Sequence, residues 1–137
     1  MTEQTPVIRV VAAIIEYDGK YLACRRAPHK ESAGLWEFPG GKIEPAESPE
    51  DAIVREILEE LNVPVFDLKL FDDSTTTTEF GKIQLISYLA AADLIPNGSS
   101  DHDQLRLVSK VELEHLHWAA PDLPAVRKLL SGSCLIN

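Results

Sequence analysis

Apolar and polar positions alternate in short blocks along most of the chain, and the blocks rich in β-branched residues predict strands. The segment VIRVVAAIIEY, residues 7–17, is typical of a largely buried strand, and YLACRR, residues 21–26, of its antiparallel partner. Between them, DGK predicts a hairpin turn in which Gly19 takes a positive φ. Strand-like segments follow at VFDLKLFDD, TTTTEF, KIQLISYLAA and QLRLVS.

Residues 48–61 change to a helical period, with apolar residues repeating about every 3.6 positions. Ser48 is suited to the N-cap and Pro49 to the first turn. Asn62 stands where a left-handed C-cap residue is expected, and Pro64 prevents continuation. The sequence therefore predicts one well-delimited α-helix that ends at about Leu61.

The remaining segments complete the predicted architecture. Residues 27–48 contain repeated Gly and Pro and are predicted to form a long loop, which in a compact domain is often functional. VELEHL predicts one or two helical turns, and PDLPAVRKLL predicts a closing helix for which Asp122 is a candidate N-cap. This order of elements indicates an α/β or α+β sandwich with a mixed sheet. The length of 137 residues suits one domain, 1–137.

The predicted central helix gathers three carboxylates on one side. Its apolar positions share an arc that is expected to pack on the sheet: Ile53, Val54, Ile57, Leu58 and Leu61. Glu56, Glu59 and Glu60 fall on the other side, beside Ala52 and Arg55, and their spacing lets the three acidic side chains converge. Because like charges at this spacing repel, the pattern indicates either a solvated acidic face or a cation site.

The loop before the helix favours the cation site. It brings Glu44 and Glu47 to the same end, together with Gly40 and Gly41, whose backbone can approach a ligand closely. Clustered carboxylates beside a backbone carbonyl suit hard divalent cations, Mg²⁺ or Mn²⁺ in particular.

Charge and cysteine content narrow the function classes. A formal net charge of −9 disfavours binding to a nucleic-acid duplex or an anionic membrane, whereas a phosphorylated small molecule stays compatible if cations mediate the contact. Cys24 is expected in the core, and with Cys134 it forms neither a metal-ligand spacing nor a disulfide framework. A reducing cytoplasm is therefore expected, and no signal peptide or membrane-spanning run is found.

Residues 41–63 resemble the Nudix box, G-x5-E-x7-R-E-U-x-E-E-x-G-U, in which U is a bulky apolar residue. The matching positions are Gly41, Glu47, Arg55, Glu56, Ile57, Glu59, Glu60 and Val63. The departure is Asn62 in place of glycine, a mild change because asparagine also adopts a left-handed cap. The flanking RVVAAIIEYDGKYLACRR and GLWEFPGGK look like the MutT-type and CTP-pyrophosphohydrolase-type branch.

The resemblance implies an α/β/α sandwich with a mixed central sheet and hydrolysis of a nucleoside diphosphate linked to another group. In the MutT-type branch the usual reaction takes a nucleoside triphosphate to the monophosphate and pyrophosphate. Carried onto this chain, Glu56, Glu59, Glu60 and the Gly41 carbonyl would bind Mg²⁺, with Mn²⁺ as the alternative. Glu56 is also the candidate base for the attacking water, although in some relatives a carboxylate outside the box has that role.

Basic residues near the box are expected to order the loop and contact phosphates. The resemblance implies that Arg55 pairs with Glu47 and holds the loop against the helix. Lys42, Arg26 and, less favoured, Arg25 are candidates for contacts along the phosphates, and a solvated surface is the alternative for each. Strand alternation sends Arg25 and Arg26 to opposite faces, so only one is expected to face the site.

A second acidic cluster occurs at Asp101, His102 and Asp103. MutT-type relatives often place a metal-binding glutamate near this position, which aligns with His102 here. Asp101 or Asp103 would complete the metal shell, and His102 would touch the reacting phosphate or water. The alternative is a solvated acidic loop with an idle histidine.

Aromatic residues and one aspartate are candidates for base recognition. Phe38, Trp36 and Tyr88 have the rings to stack on a nucleobase, and Tyr88, in the alternating QLISYLA, is a candidate to line a pocket on one face of the sheet. Each of the three could equally belong to the core, which is the favoured place for Trp36. Asp122 lies in a segment similar to the base-reading segment of MutT-type enzymes. Ionised, it would accept from an amino group such as that of cytosine, and protonated it would donate to an oxidised guanine carbonyl. Its alternative role is the helix N-cap.

The expected function is Mg²⁺-dependent hydrolysis of nucleoside triphosphates to monophosphates and pyrophosphate, with cytosine or modified cytosine preferred. A MutT-like 8-oxo-dGTP diphosphatase is the alternative substrate class. A non-catalytic nucleotide sensor is the alternative of another kind, and the three box glutamates argue against it. The expected partner is the nucleotide, without stable nucleic-acid or membrane binding, in a monomer or homodimer.

Overall fold

A computed structural model describes residues 6–30, 33–79, 81–99 and 101–132. The strands are β1 (Val7–Tyr17), β2 (Lys20–Arg26), β3 (Trp36–Glu37), β4 (Gly40–Lys42), β5 (Phe66–Thr78), β6 (Gly81–Ala91) and β7 (His102–Val108). The helices are α1 (Pro49–Leu61), α2 (Lys110–His115) and α3 (Leu123–Gly132), with a 3₁₀ turn at Ala120–Asp122. Cys134, which was considered for metal or disulfide chemistry, lies outside the described residues.

Strand β1 organises the sheet. It runs parallel to β6 and antiparallel to both β2 and β4. Strand β5 pairs antiparallel with β6, and β2 also pairs antiparallel with β3 and β7. The predicted mixed sheet is therefore confirmed, with one parallel strand pair among antiparallel ones.

The two faces of the sheet are covered by different helices. Alternate residues of β1, namely Val11, Ala13 and Ile15, pack with α1 in one core cluster. The intervening Ala12 and Ile14 pack with α3 and with Trp118 in the other. This arrangement is the α/β/α sandwich that the sequence predicts, because a buried strand offers apolar side chains to both faces.

The local turn and cap predictions are confirmed. Asp18 and Gly19 adopt φ values of 50° and 79° in the β1–β2 turn, as a two-residue hairpin requires. The Ser48 hydroxyl accepts a hydrogen bond from the Asp51 amide at 3.1 Å and caps α1. Asn62 ends the helix in the left-handed region, at φ 57° and ψ 38°.

The region predicted as one long loop is more ordered than expected. Residues 36–37 and 40–42 form the short strands β3 and β4, which pair with β2 and β1. Strands of two or three residues have no periodicity of their own. They form here because neighbouring strand edges supply their hydrogen-bond partners.

The buried stripe of α1 is rotated from the predicted arc. Ala52 is fully buried beside Ile53 and Ile57, whereas Val54 and Leu58 are 39% and 48% exposed. Hydrophobicity alone ranks valine and leucine above alanine. The small alanine side chain, however, suits close packing of the helix on the sheet, and the rotation turns Glu60 inward. None of the described helices combines the length and apolar character needed to cross a membrane.

Candidate active site

A cavity of about 850 Å³ lies where α1, β4 and the 3₁₀ turn meet the end of the sheet. Its charged part is lined by Arg26, Lys30, Glu37, Lys42, Glu56, Glu60 and Asp101. Its more apolar part is lined by Ile8, Val10, Leu35, Phe38, Ile83, Leu85 and residues 119–121, with Asp122 among them. A single space therefore joins a carboxylate-rich end to an apolar end that holds one buried acid.

Arg55 connects the loop to the helix at the carboxylate end. Its guanidinium donates to both Glu47 oxygens, at 2.7 Å and 2.9 Å, and to the Lys42 carbonyl at 3.1 Å. It also donates to Glu56 at 3.0 Å and to Glu59 at 3.3 Å. The predicted pairing with Glu47 is present, and the Arg55 hydrogen bonds lower the pKa of Glu47 to about 2. A planar fork of donors suits this bidentate contact better than an ammonium group would.

Gly40 and Gly41 allow the backbone of β4 to pass through a crowded place. A Cβ atom on Gly41 would lie 2.3 Å from the carboxyl carbon of Glu56. A Cβ atom on Gly40 would lie 1.8 Å from the Val11 carbonyl oxygen. The absence of side chains thus lets β4 approach both Glu56 and β1.

Two carboxylates of α1 are held in partly or largely buried positions. Only 6% of the Glu60 side chain is exposed, and burial, followed by the hydrogen bond and charge of Asp101, raises its pKa to about 9. Burial also raises the pKa of Glu56, although Arg55 opposes the shift. The Oε1 atom of Glu60 is buried with no hydrogen-bond partner in the described structure. Burial and neighbouring carboxylates therefore disfavour the charged form of Glu60, whereas Arg55 compensates part of the charge of Glu56.

These residues fit a hard divalent cation. Glu56 and Glu60 supply carboxylate oxygens, the Gly41 backbone passes close to Glu56, and the orphaned Glu60 oxygen is the kind of atom that a cation would satisfy. Among the described residues no three His, Cys, Asp or Glu side chains form a ready-made metal-binding group. Mg²⁺ commonly binds through one or two carboxylates and keeps waters and substrate phosphates as its other ligands, so an incomplete protein set is compatible with it.

The acidic residues before and in β7 are separated by the structure. Asp101 lines the cavity and lies 3.0 Å from the Lys30 ammonium. Asp103 pairs with Arg25 through contacts of 2.8 Å and 3.0 Å and is absent from the cavity lining. Asp101 precedes β7, and the irregular pairing of β2 with β7 between Arg25 and Arg26 leaves Asp103 beside Arg25, so the structure brings Asp101 and not Asp103 to the site.

The predicted phosphate contacts are partly brought together. Arg26 and Lys42 both line the cavity, whereas Arg25 does not. The Arg26 guanidinium donates to both oxygens of Glu37, at 3.0 Å and 3.1 Å. Glu37 was missed by sequence reasoning. Its signal was the alternation of Trp36, Glu37 and Phe38, which places an acid between two buried aromatic residues.

The apolar end of the cavity contains Asp122 and Phe38. The Phe38 amide donates to the Asp122 carboxylate at 3.0 Å, and the Phe38 ring lies 4.8 Å from the Trp118 ring. Burial raises the pKa of Asp122 well above its ordinary value. Asp122 lines the cavity and also directly precedes α3, so its position is compatible with both roles considered for it, base recognition and the helix N-cap.

Two aromatic candidates belong to the core. Trp36 is buried in the cluster that packs on α3, as favoured. Tyr88, for which a pocket and the core were the alternatives, lies in the core cluster under α1 and donates from its hydroxyl to Glu50 at 2.8 Å. The alternation along β6 was recognised, but the sequence did not reveal which face is the open one.

The chain is similar in sequence to a known protein family and to several of its members. The NUDIX domain family matches residues 5–130. The putative 8-oxo-dGTP diphosphatase 2 of Mycobacterium tuberculosis (strain ATCC 25618 / H37Rv) is 31% identical over an alignment 135 residues long. The match covers 90% of this chain and 91% of that protein. The CTP pyrophosphohydrolase of Escherichia coli (strain K12) is 58% identical over 57 residues, and the match spans only 42% of each chain.

The fold of the chain is also similar to the folds of solved structures. The solution structure of the E. coli ORF135 protein has a TM-score of 0.74 at 33% identity, over 91% of this chain and 89% of that one. The crystal structure of a MutT protein from Methanosarcina mazei Go1 has a TM-score of 0.85 at 21% identity, over 98% and 100%, and it shows likeness of fold alone. With the family match over most of its length, the chain belongs to the Nudix hydrolase family.

Proposed function

We propose that this Nudix hydrolase is a Mg²⁺-dependent pyrophosphohydrolase that converts nucleoside triphosphates and water to monophosphates and pyrophosphate. The observation that carries the proposal is the continuous cavity from the Glu56 and Glu60 carboxylates to the buried Asp122. Cation and phosphates fit its charged end and a base fits its apolar end. We also propose that residues 1–137 form one Nudix domain, because the family match covers 5–130.

The protein contributes position and charge to the reaction. A bound divalent ion would acidify water and neutralise charge on the phosphate oxygens. Glu56 is the proposed base, because its raised pKa makes it a better proton acceptor and Arg55 fixes its place. Arg26 and Lys42 line the cavity where the phosphates would lie.

The substrate proposed is a cytosine or modified-cytosine nucleotide, with an oxidised purine as the second candidate. The partial match to an E. coli protein named CTP pyrophosphohydrolase supports the first. The second is favoured by the raised pKa of Asp122, since a protonated carboxyl can donate to a purine carbonyl. The longer match to a protein named putative 8-oxo-dGTP diphosphatase also supports it.

The function is tested by pyrophosphate release from canonical, methylated and oxidised triphosphates, with Mg²⁺ present and then chelated. We expect release from at least one nucleotide, and loss of that release on chelation. Activity that persists after chelation would contradict the metal dependence. Nucleotide binding without any turnover across the panel would favour a non-catalytic sensor.

Asp122→Ala is expected to change base preference more than cation binding. The variant removes a buried polar group at the apolar end of the cavity. We expect the ratio of kcat/KM for CTP to that for 8-oxo-dGTP to change by about 10-fold or more, because an unpaired buried polar group on the base is costly. The Mn²⁺ Kd should stay within about twofold of the wild-type value, because Asp122 is not one of the carboxylates proposed to hold the cation.

The control is Asp93→Ala, which removes an exposed aspartate away from the cavity lining. Its ratio should equal that of the wild type. An unchanged ratio in Asp122→Ala as well would mean that Asp122 serves only the contact with the Phe38 amide.

A further inference from the structure

A buried histidine lies between two carboxylates next to the cavity. The His102 side chain is 1% exposed, and its Nε2 atom lies 2.7 Å from Glu37 Oε2. Its Nδ1 atom lies 2.8 Å from the Ser99 hydroxyl and 3.6 Å from Glu60 Oε1. The ring is therefore in contact with polar groups at both nitrogens. The mechanism described above uses none of these contacts.

The contacts determine the orientation of the ring. Glu37 already accepts from the Arg26 guanidinium at both oxygens, so it accepts again from the Nε2 hydrogen of His102. The Ser99 hydroxyl then completes the hydrogen bonding at Nδ1. The His102 ring is therefore held at both nitrogens, and a fixed ring restricts the positions open to a side chain that packs against it.

Glu60 is the group that packs against it. Asp101 bonds to the Glu60 carboxyl and lies towards the cavity, while His102 approaches Oε1 at 3.6 Å. That oxygen has no hydrogen-bond partner in the described structure although it is buried. A separation of 3.6 Å is too long for a hydrogen bond but short enough to restrict where the carboxylate can turn.

We propose that His102 is a positioning residue, which links the Arg26–Glu37 pair to Glu60 and fixes the Glu60 carboxylate for cation binding. The inference rests on the proposed function, because it assigns Glu60 to the cation. Groups that orient metal ligands from behind contribute strongly to metal affinity, and their replacement typically weakens it by about 10–100-fold. The pairing of β2 with β7 places Arg26 opposite His102, and both side chains contact Glu37.

The experiment measures Mn²⁺ binding without nucleotide, by electron paramagnetic resonance, and steady-state kinetics in parallel. For His102→Leu we expect the Mn²⁺ Kd to rise about 10–100-fold. We also expect kcat to fall more than the nucleotide KM rises. His102→Gln keeps a donor that can reach Glu37, so it should recover part of the loss in both measurements.

His115→Leu and His115→Gln are the matched controls, since His115 is an exposed histidine of α2 and is absent from the cavity lining. Both should bind Mn²⁺ as the wild type does. If His102→Leu does not fold, His102→Gln decides the question and Ser99→Ala supplements it, because Ser99→Ala removes the contact at Nδ1 together with the hydrogen bond that Ser99 accepts from the Asp101 amide, and keeps the contact of His102 with Glu37. Folded variants at position 102 or 99 that all bind Mn²⁺ within twofold of wild type would overturn the proposal.

The two proposals fail in different ways. Wild-type protein that binds Mn²⁺ but releases no pyrophosphate from any nucleotide contradicts the proposed function. In that case weaker Mn²⁺ binding by His102→Leu still supports the positioning role. Wild-type protein that binds no Mn²⁺ overturns both.

Discussion

Glu56→Gln is expected to lower kcat by about 10²–10⁴-fold, the usual contribution of a general acid or base. Glutamine retains the size of the side chain and can still accept a hydrogen bond from Arg55, but it cannot take a proton or offer a full negative charge. The fold should survive, because the bidentate Arg55–Glu47 contact remains and a partly buried charge is removed. Steady-state kinetics with Mg²⁺ and thermal unfolding measure the two effects.

The matched control is Glu114→Gln, at an exposed glutamate of α2 that does not line the cavity. It should leave kcat unchanged. Turnover by Glu56→Gln within about threefold of wild type would remove Glu56 as the base, since a factor of three is far below the range for this kind of catalysis. Glu37 and Asp101, which are among the other carboxylates that line the same end of the cavity, would then be the candidates for the base.

Gly40→Ala is expected to lower the free energy of unfolding by about 3 kcal/mol or more, a larger loss than for the other substitutions proposed. The added Cβ would lie 1.8 Å from the Val11 carbonyl oxygen and 2.8 Å from the Ala12 Cα atom. Both contacts are with backbone, so no side-chain rotation relieves them and β4 must move away from β1. Chemical denaturation would measure the loss, which is a large part of the total stability of a typical domain.

Two other glycines serve as controls for the effect of adding a Cβ atom at Gly40. Gly98→Ala meets nothing within 4 Å, so its stability should change little. Gly41→Ala meets the flexible carboxyl group of Glu56 at 2.3 Å, so we expect activity to fall more than stability. A Gly40→Ala protein as stable as Gly98→Ala would contradict the close approach of β4 to β1.

Sequence reasoning predicted α1 and its limits well because the signals are local. The Ser48 cap and the Asn62 left-handed end each involve groups within a few residues of one another. Hydrogen-bonding capacity and spacing along the helix are sufficient to infer these caps. The pairing of Arg55 with Glu47, eight residues apart, was instead predicted from the resemblance to the Nudix box.

The errors concern which side of an element is buried. The arc with Val54 and Leu58 was expected to pack on the sheet but is partly exposed, and the sequence left open whether Tyr88 faces a pocket or the core. Periodicity shows that two sides of a helix or strand differ. It does not show which neighbour covers each side, because that depends on the other layers of the fold.

The sequence by itself determined the order of the longer elements, the mixed sandwich and the acidic helix, since each follows from patterns along the chain, whereas the short strands β3 and β4 were not predicted. Only the tertiary structure decided the composition of the site. Glu37 meets His102 across 65 residues, and Phe38 meets Asp122 across 84. Contacts of this range arise when the sheet and helices pack, and burial then sets the pKa of Glu60 and of Asp122. No local pattern contains that information, because the environment of each carboxylate is built by residues far away in the chain.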